Sequence, residues 1–155
     1  MGIWVHNERK LSNSIALRSE IGLDAGIFGN SYSNENYVDY VFTPVLILEP
    51  RWYYNFEKRI RKGRKITNNS GNFLALRVGF NPDLFVISNR DDISVPNQLF
   101  IIPKWGIKRG IGQHFTYEAG IGIGYHHVFE NDYYWVAHDD VEVALDLHFR
   151  IGYTF

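Results

Sequence analysis

Cysteine is absent from the 155 residues, so disulfides and thiolate metal sites are excluded. A run of about 18 apolar residues is also missing, which excludes a membrane-spanning helix. Neither sign of charge dominates. The net charge of −1 and a pI near 6.6 argue against a general nucleic-acid binder. No apolar pattern of helical period is visible anywhere along the chain. No G-x-S-x-G occurs, and Ser14, Ser19, Ser88 and Ser94 sit in no recognisable nucleophile setting. No catalytic, cofactor-binding or metal-binding residue is therefore assigned, and no enzyme activity or cofactor is expected. Met1-Gly2-Ile3-Trp4 has neither the basic start nor the apolar core of a signal peptide, so a secreted protein would need its export leader outside this sequence.

What the chain does have is alternation. From Val141 to Phe155 every odd position is apolar or aromatic, and every even position is charged, polar or small. Side chains of a strand alternate between faces, so this segment has one greasy face and one polar face. It lasts about fifteen residues, where an ordinary strand averages roughly five or six and a tilted bilayer-crossing strand needs about 9–11. The pattern recurs from Ser14 to Ile27, Tyr40 to Phe56, Asn72 to Ser88, Asn97 to Arg109 and His114 to Phe129. Gly2 to Glu8 reads as a short leading strand. Pro50 lacks a ladder donor, so a bulge is expected there. Glu57 to Gly71 is a long basic connection. The expectation is a single all-β domain over residues 1–155. It is an antiparallel up-and-down meander of about eight strands, six long ones and the short first one being visible. The mean hydropathy of −0.23 is compatible with a membrane barrel, where the two faces average out.

Side-chain size decides which face looks inward. The polar faces carry Gly22, Gly79, Gly106, Gly120, Gly122 and Gly124, whereas the apolar faces carry almost no small residues. Small groups suit the crowded concave side. The polar faces also hold Arg18, Glu20, Asp24, Glu49, Arg51, Arg77, Asp83, Lys104, Lys108, Glu118, Glu142, Asp146, His148 and Arg150. Cations and anions are nearly matched there, as mutual burial demands. These residues are expected to form a lumen charge network that leaves little room for a wide channel. His126 and His148 fall on lumen faces of adjacent strands. A metal pair is conceivable, but a hydrogen-bonding role is the plainer reading. Trp52, Tyr54, Trp105 and Tyr117 gather at one end of the strands, as interfacial aromatics do.

The closing segment, with Phe149, Ile151, Tyr153 and Phe155, resembles the last strand of small bacterial outer-membrane β-barrels of the OmpA-like transmembrane class. The resemblance covers nearly the whole chain as pattern, and only this strand as motif. It implies a transmembrane barrel in the outer membrane of a diderm bacterium, with a periplasmic C-terminus. It also implies recognition of those four residues by the barrel-insertion machinery, and membrane lipid and glycolipid as surroundings. Residues 29–39, 89–96 and 130–140 would then be external, and 9–13, 57–71 and 110–113 periplasmic. Bacterial single-chain barrels usually have an even strand count. Either an upstream strand belongs to the native protein, or Gly2–Glu8 is an incomplete remnant of one.

The function expected is a non-enzymatic structural, adhesive or narrow-pore role. The alternative is a soluble, lipocalin-like barrel binding an apolar small molecule. Two weaker signals remain. Lys58, Arg59, Arg61, Lys62, Arg64 and Lys65 could meet phospholipid headgroups, or simply be a solvated loop. Glu35, Asp39, Asp91, Asp92, Glu130, Asp132, Asp139 and Asp140 could hold divalent cations among glycolipids, though no calcium-loop spacing is present. Oligomeric state is not legible in the sequence.

Overall fold

The computed structural model describes residues 2–29, 38–89, 95–129 and 141–153. Glu35, Asp91, Asp92, Ser94, Glu130, Asp132, His138, Asp139, Asp140 and Phe155 lie outside them.

Alternation becomes one antiparallel sheet curled into a half-barrel. In chain order its strands are β1 (Gly2–Lys10), β2 (Ile15–Gly29), β3 (Val38–Trp52), β4 (Gly71–Asn81), β5 (Ile87–Ser88), β6 (Gln98–Ile111), β7 (Phe115–Val128) and β8 (Val141–Tyr153). The sheet order is β1-β2-β3-β4-β6-β7-β8, with the short β5 continuing beside β3. Each long strand pairs with its neighbour in sequence, as expected of a meander. The turns follow local chemistry. Ser12 Oγ accepts from the backbone N–H groups of Ser14 (3.3 Å) and Ile15 (3.1 Å) at the β1–β2 corner. Gly112 takes a left-handed φ of 64° at the β6–β7 corner, a conformation that favours a residue without Cβ.

Four expectations need correction. The strand expected over Asn72–Ser88 stops at Asn81, because Pro82 and the following turn interrupt it; the Leu84 N–H bonds back to Pro82 O at 2.9 Å. Pairing with β3 resumes only at β5. No bulge forms at Pro50. The β3–β4 ladder lapses at Glu49 and Pro50, but Leu48↔Val78 and Arg51↔Ala75 keep one register. A missing N–H removes a ladder bond without adding a residue. The basic connection is not a plain loop: Phe56–Arg61 forms a helix, α1, and Thr67–Asn69 a 3₁₀ turn. One and a half helical turns are too short to leave a periodic trace in the sequence. Finally, β1 runs to Lys10, two residues beyond the expected Glu8.

The sheet is not closed. With seven long strands alternating in direction, β1 and β8 run parallel to one another, and neither is paired to the other. A lateral cleft of about 1190 Å³ opens between them, bordered by β1 from Gly2 to Glu8 and by β8 from Asp146 to Tyr153.

The concave side is polar and the convex side apolar. Glu49, Arg51, Lys104 and Glu118 are buried, whereas Leu48, Leu76, Ile121, Leu147 and Phe149 are exposed. The departures from strict alternation point inward too. Val45, Ile47 and Ile102 are buried on the concave side, Ile47 opposite Glu20 and Ile102 opposite Arg77.

Candidate functional site

The centre of the concave side is a branched ion-pair network. Arg51 on β3 reaches across to Glu118 on β7 with two parallel bonds, Nη1 to Oε2 at 2.6 Å and Nη2 to Oε1 at 2.8 Å. Such forked pairing is among the strongest polar contacts a side chain makes. The Arg51 Nε–H donates to Glu49 Oε1 at 2.7 Å, and Lys104 Nζ lies 2.7 Å from Glu49 Oε2. Arg18 bonds Glu118 at 3.0 Å and pairs with Glu20; Arg150 on β8 donates to Glu20 at 2.8 Å. Arg77 donates to Asp146 at 3.0 Å. His148 sits between two carboxylates, its ring nitrogens 3.2 Å from Asp146 and 3.2 Å from Glu118. Burial of so many charges is tolerable only because each has a partner of opposite sign.

Of the fourteen residues expected in the lumen, Arg18, Glu20, Glu49, Arg51, Arg77, Lys104, Lys108, Glu118, Asp146, His148 and Arg150 are thus brought together. Asp24 lines the lateral cleft together with Arg77, Asp146 and Arg150. Asp83 and Glu142 do not join. Asp83 belongs to the turn after β4, where its N–H bonds Asn97 Oδ1 at 2.8 Å, and its side chain is exposed. Glu142 is exposed near the start of β8. His126 and His148 are not a pair: His126 stands opposite Glu142 and bonds Gln98 at 3.1 Å, while His148 stands opposite Gly120.

Sequence reasoning missed Glu8. Its carboxylate joins Lys108 Nζ at 2.5 Å and accepts the Tyr53 hydroxyl at 2.5 Å and the Asn69 side-chain amide at 2.8 Å. The signal was available: Trp4, His6 and Glu8 share the parity opposite Ile3 and Val5. Also missed was a reciprocal pair on β4 and β6. Phe73 faces Gly106 and Phe100 faces Gly79, and each ring lies where the glycine's Cβ would be. The two rings also cover cations: Arg51 lies 4.4 Å from the Phe73 centroid and Arg77 5.2 Å from that of Phe100. A guanidinium over an aromatic face gains from the ring quadrupole.

The connection between β3 and β4 caps one end. Tyr53 stacks on Phe56 at 4.6 Å and tilts against Phe73 at 5.6 Å. Asn68 and Asn69 adopt left-handed φ of 53° and 55°, which asparagine tolerates, and this directs Asn69 to Glu8. Burial holds the Tyr53 phenol well above its usual pKa, against the nearby Arg51 cation and with Glu8 adding to the rise. Tyr53 therefore stays a neutral donor.

Outside this cap lies a second concavity of about 380 Å³, lined by Tyr54, Asn55, Lys58, Arg59, Lys62, Arg64, Asn72 and Arg109. None of the eight is acidic. Burial, then the Arg109 and Arg64 cations, lowers the pKa of the Arg59 guanidinium. Tyr54 is also one of the four aromatics expected at an interface. Its hydroxyl accepts the Trp105 indole N–H at 2.7 Å, and it meets Trp52 edge-on at 6.1 Å. Trp52 and Tyr54 are exposed at this end of β3 and Tyr117 is half-buried near the start of β7, but Trp105, expected at a strand end, is exposed midway along β6, opposite Ile121. Of the four closing residues, Phe149, Ile151 and Tyr153 are exposed, and Phe155 is outside the described part.

No protein-family model matches the chain, and no curated protein or solved structure matches it either.

Proposed function

We propose that the chain is an integral outer-membrane β-barrel protein, with a lumen plugged by its own ion pairs and a structural or adhesive role. The observation that carries this reading is the inversion of inside and outside. Leu147 is 68% exposed while Arg51 is 1% exposed. Soluble proteins rarely expose contiguous apolar patches beyond a few hundred Å². Here exposed Leu, Ile and Phe line strand after strand. A bilayer is the solvent that makes such a belt favourable and confines charge to the axis. On β3 the belt ends at Trp52 and Tyr54, which suits the headgroup boundary.

The same observation weighs against a soluble, lipocalin-like barrel, whose apolar ligand would need a greasy interior. The narrow-pore variant is weakened by the Arg51–Glu118 fork and by the cap of Tyr53, Phe56 and Asn69, which together obstruct the axis. No chemistry is assigned to the lumen, which serves as a scaffold. The outward Phe149, Ile151 and Tyr153 stand ready for the barrel-insertion machinery that the closing strand's resemblance implies.

The test is flotation of the refolded chain with phosphatidylcholine vesicles, followed by extraction at high pH and in urea. Co-flotation resistant to both is expected. A monodisperse protein in detergent-free buffer that does not float would overturn the reading and favour the soluble alternative.

A further inference from the structure

The basic concavity outside the cap has no task in that reading. Lys58, Arg59, Lys62, Arg64 and Arg109 converge on it from two separate parts of the chain, with no carboxylate among its lining residues. Like charges this close repel, and an ordinary solvated loop would let them spread. Here the backbone and the hydrogen bonds prevent it. Gly63, at φ 63°, turns the chain after α1 so that the Arg64 N–H returns to Arg59 O at 2.9 Å. Arg59 Nη2 is tied to Lys65 O at 2.9 Å, while its buried Nε has no protein partner. Arg109 is clamped by Lys108 O at 2.7 Å and Asn72 Oδ1 at 2.5 Å, and Asn55 Oδ1 in turn accepts the Asn72 N–H at 2.8 Å. The result is a preformed positive hollow that calls for an anion with several acceptor oxygens.

Its position narrows the anion. Tyr54 is shared between the hollow and the Trp52–Tyr54–Trp105 group, so the hollow opens beside the apolar belt at the level of the interfacial aromatics. Ile60, in the same short helix as Lys58 and Arg59, is exposed as well. A ligand with phosphate at one end and acyl chains at the other meets both features at once.

We propose that this hollow binds the phosphate of an anionic phospholipid in the membrane leaflet at this end of the barrel. The proposal rests on the membrane reading above. The ligand's charge is met by Lys58, Lys62, Arg64 and Arg109, and its chains run along the belt from Trp52 past Trp105. Binding would fix the cap to the bilayer surface and relieve the repulsion among the cations.

The experiment uses the full chain in detergent micelles, exposed to equimolar phosphatidylglycerol and phosphatidylcholine, with retained lipid counted by native mass spectrometry. One retained phosphatidylglycerol is expected, preferred by at least about tenfold: one surface cation alone contributes about a factor of five toward an anionic lipid, and here four share a single phosphate. Lys62→Gln combined with Arg64→Gln should abolish the preference. Lys10→Gln, which removes an exposed cation outside the hollow, should leave it intact. Heat-modified gel mobility verifies that each variant is folded. Equal retention of the two lipids, or loss of preference in Lys10→Gln as well, overturns the site. Displacement of phosphatidylglycerol by inorganic phosphate at a similar concentration identifies a free-phosphate site and overturns the lipid assignment. Flotation with pure phosphatidylcholine vesicles is scored separately. A chain that floats but shows no preference loses the pocket and keeps the membrane reading, whereas one that does not float loses the latter.

Discussion

Arg51 and Glu118 face each other across the concave side, on strands three places apart in the sheet, and are joined by two bonds of 2.6 and 2.8 Å. No ladder contact links β3 to β7, so this pair fixes the curvature of the sheet rather than the register of neighbours. Glu49, Arg18 and His148 attach to it, which makes it the hub of the lumen.

Breaking the hub from one side should be worse than removing it. Glu118→Leu leaves Arg51 and Arg18 short of a buried counter-charge and is expected to cost about 3–5 kcal/mol. Combining it with Arg51→Met should recover a large part of that loss. Urea midpoints of the refolded barrel provide the measurement. A double variant no more stable than Glu118→Leu would show that the pair is not coupled.

Ile121 and Leu147 are opposite one another on β7 and β8 and point away from the lumen. In a bilayer, Ile121→Arg or Leu147→Arg should destabilise by about 2–4 kcal/mol, the cost of a cation near the hydrocarbon midplane. A nearly neutral effect in vesicles would mean that this face does not meet lipid.

Gly106 lies under the Phe73 ring, and a Cβ built there would sit 2.5 Å from the ring's Cζ. Gly106→Ala is therefore expected to cost about 1–3 kcal/mol by overpacking. Adding Phe73→Leu should return some of it. Thermal unfolding of the single and double variants checks this, and an additive loss would contradict the assigned contact.

The parallel, unpaired edges of β1 and β8 leave backbone donors and acceptors open beside the apolar belt. Each such group costs several kcal/mol in hydrocarbon unless it is covered. One strand antiparallel to both edges would fit their common direction. Fusing a nine-residue amphipathic strand ahead of Gly2 through a two-residue turn should raise the unfolding temperature in vesicles and slow amide exchange on β8. Unchanged exchange on β8 would show that the strand does not enter the cleft.

Period-two patterning is a local property, so the sequence alone revealed the six long strands and their meander. The glycines gathered on the polar face, among them Gly79, Gly106 and Gly120, also told which side was concave, because only small groups fit a crowded axis. Partnership within the lumen was not legible. Which carboxylate Arg51 meets depends on how far the sheet curls, and that follows from all the strands together. Glu8 was overlooked for the same reason: its partners Lys108, Tyr53 and Asn69 come from three other segments. The cap was hidden in a basic stretch whose charges read as solvated. Only the packing of Tyr53, Phe56 and Phe73 turned it back over the barrel end and drew Arg59 and Arg109 together. Asp83 erred in the other direction, since alternation continued on paper past Pro82 while the backbone turned away. Side-chain parity is thus written residue by residue, whereas charge pairing and end-capping arise between distant strands and exist only once the sheet has curled.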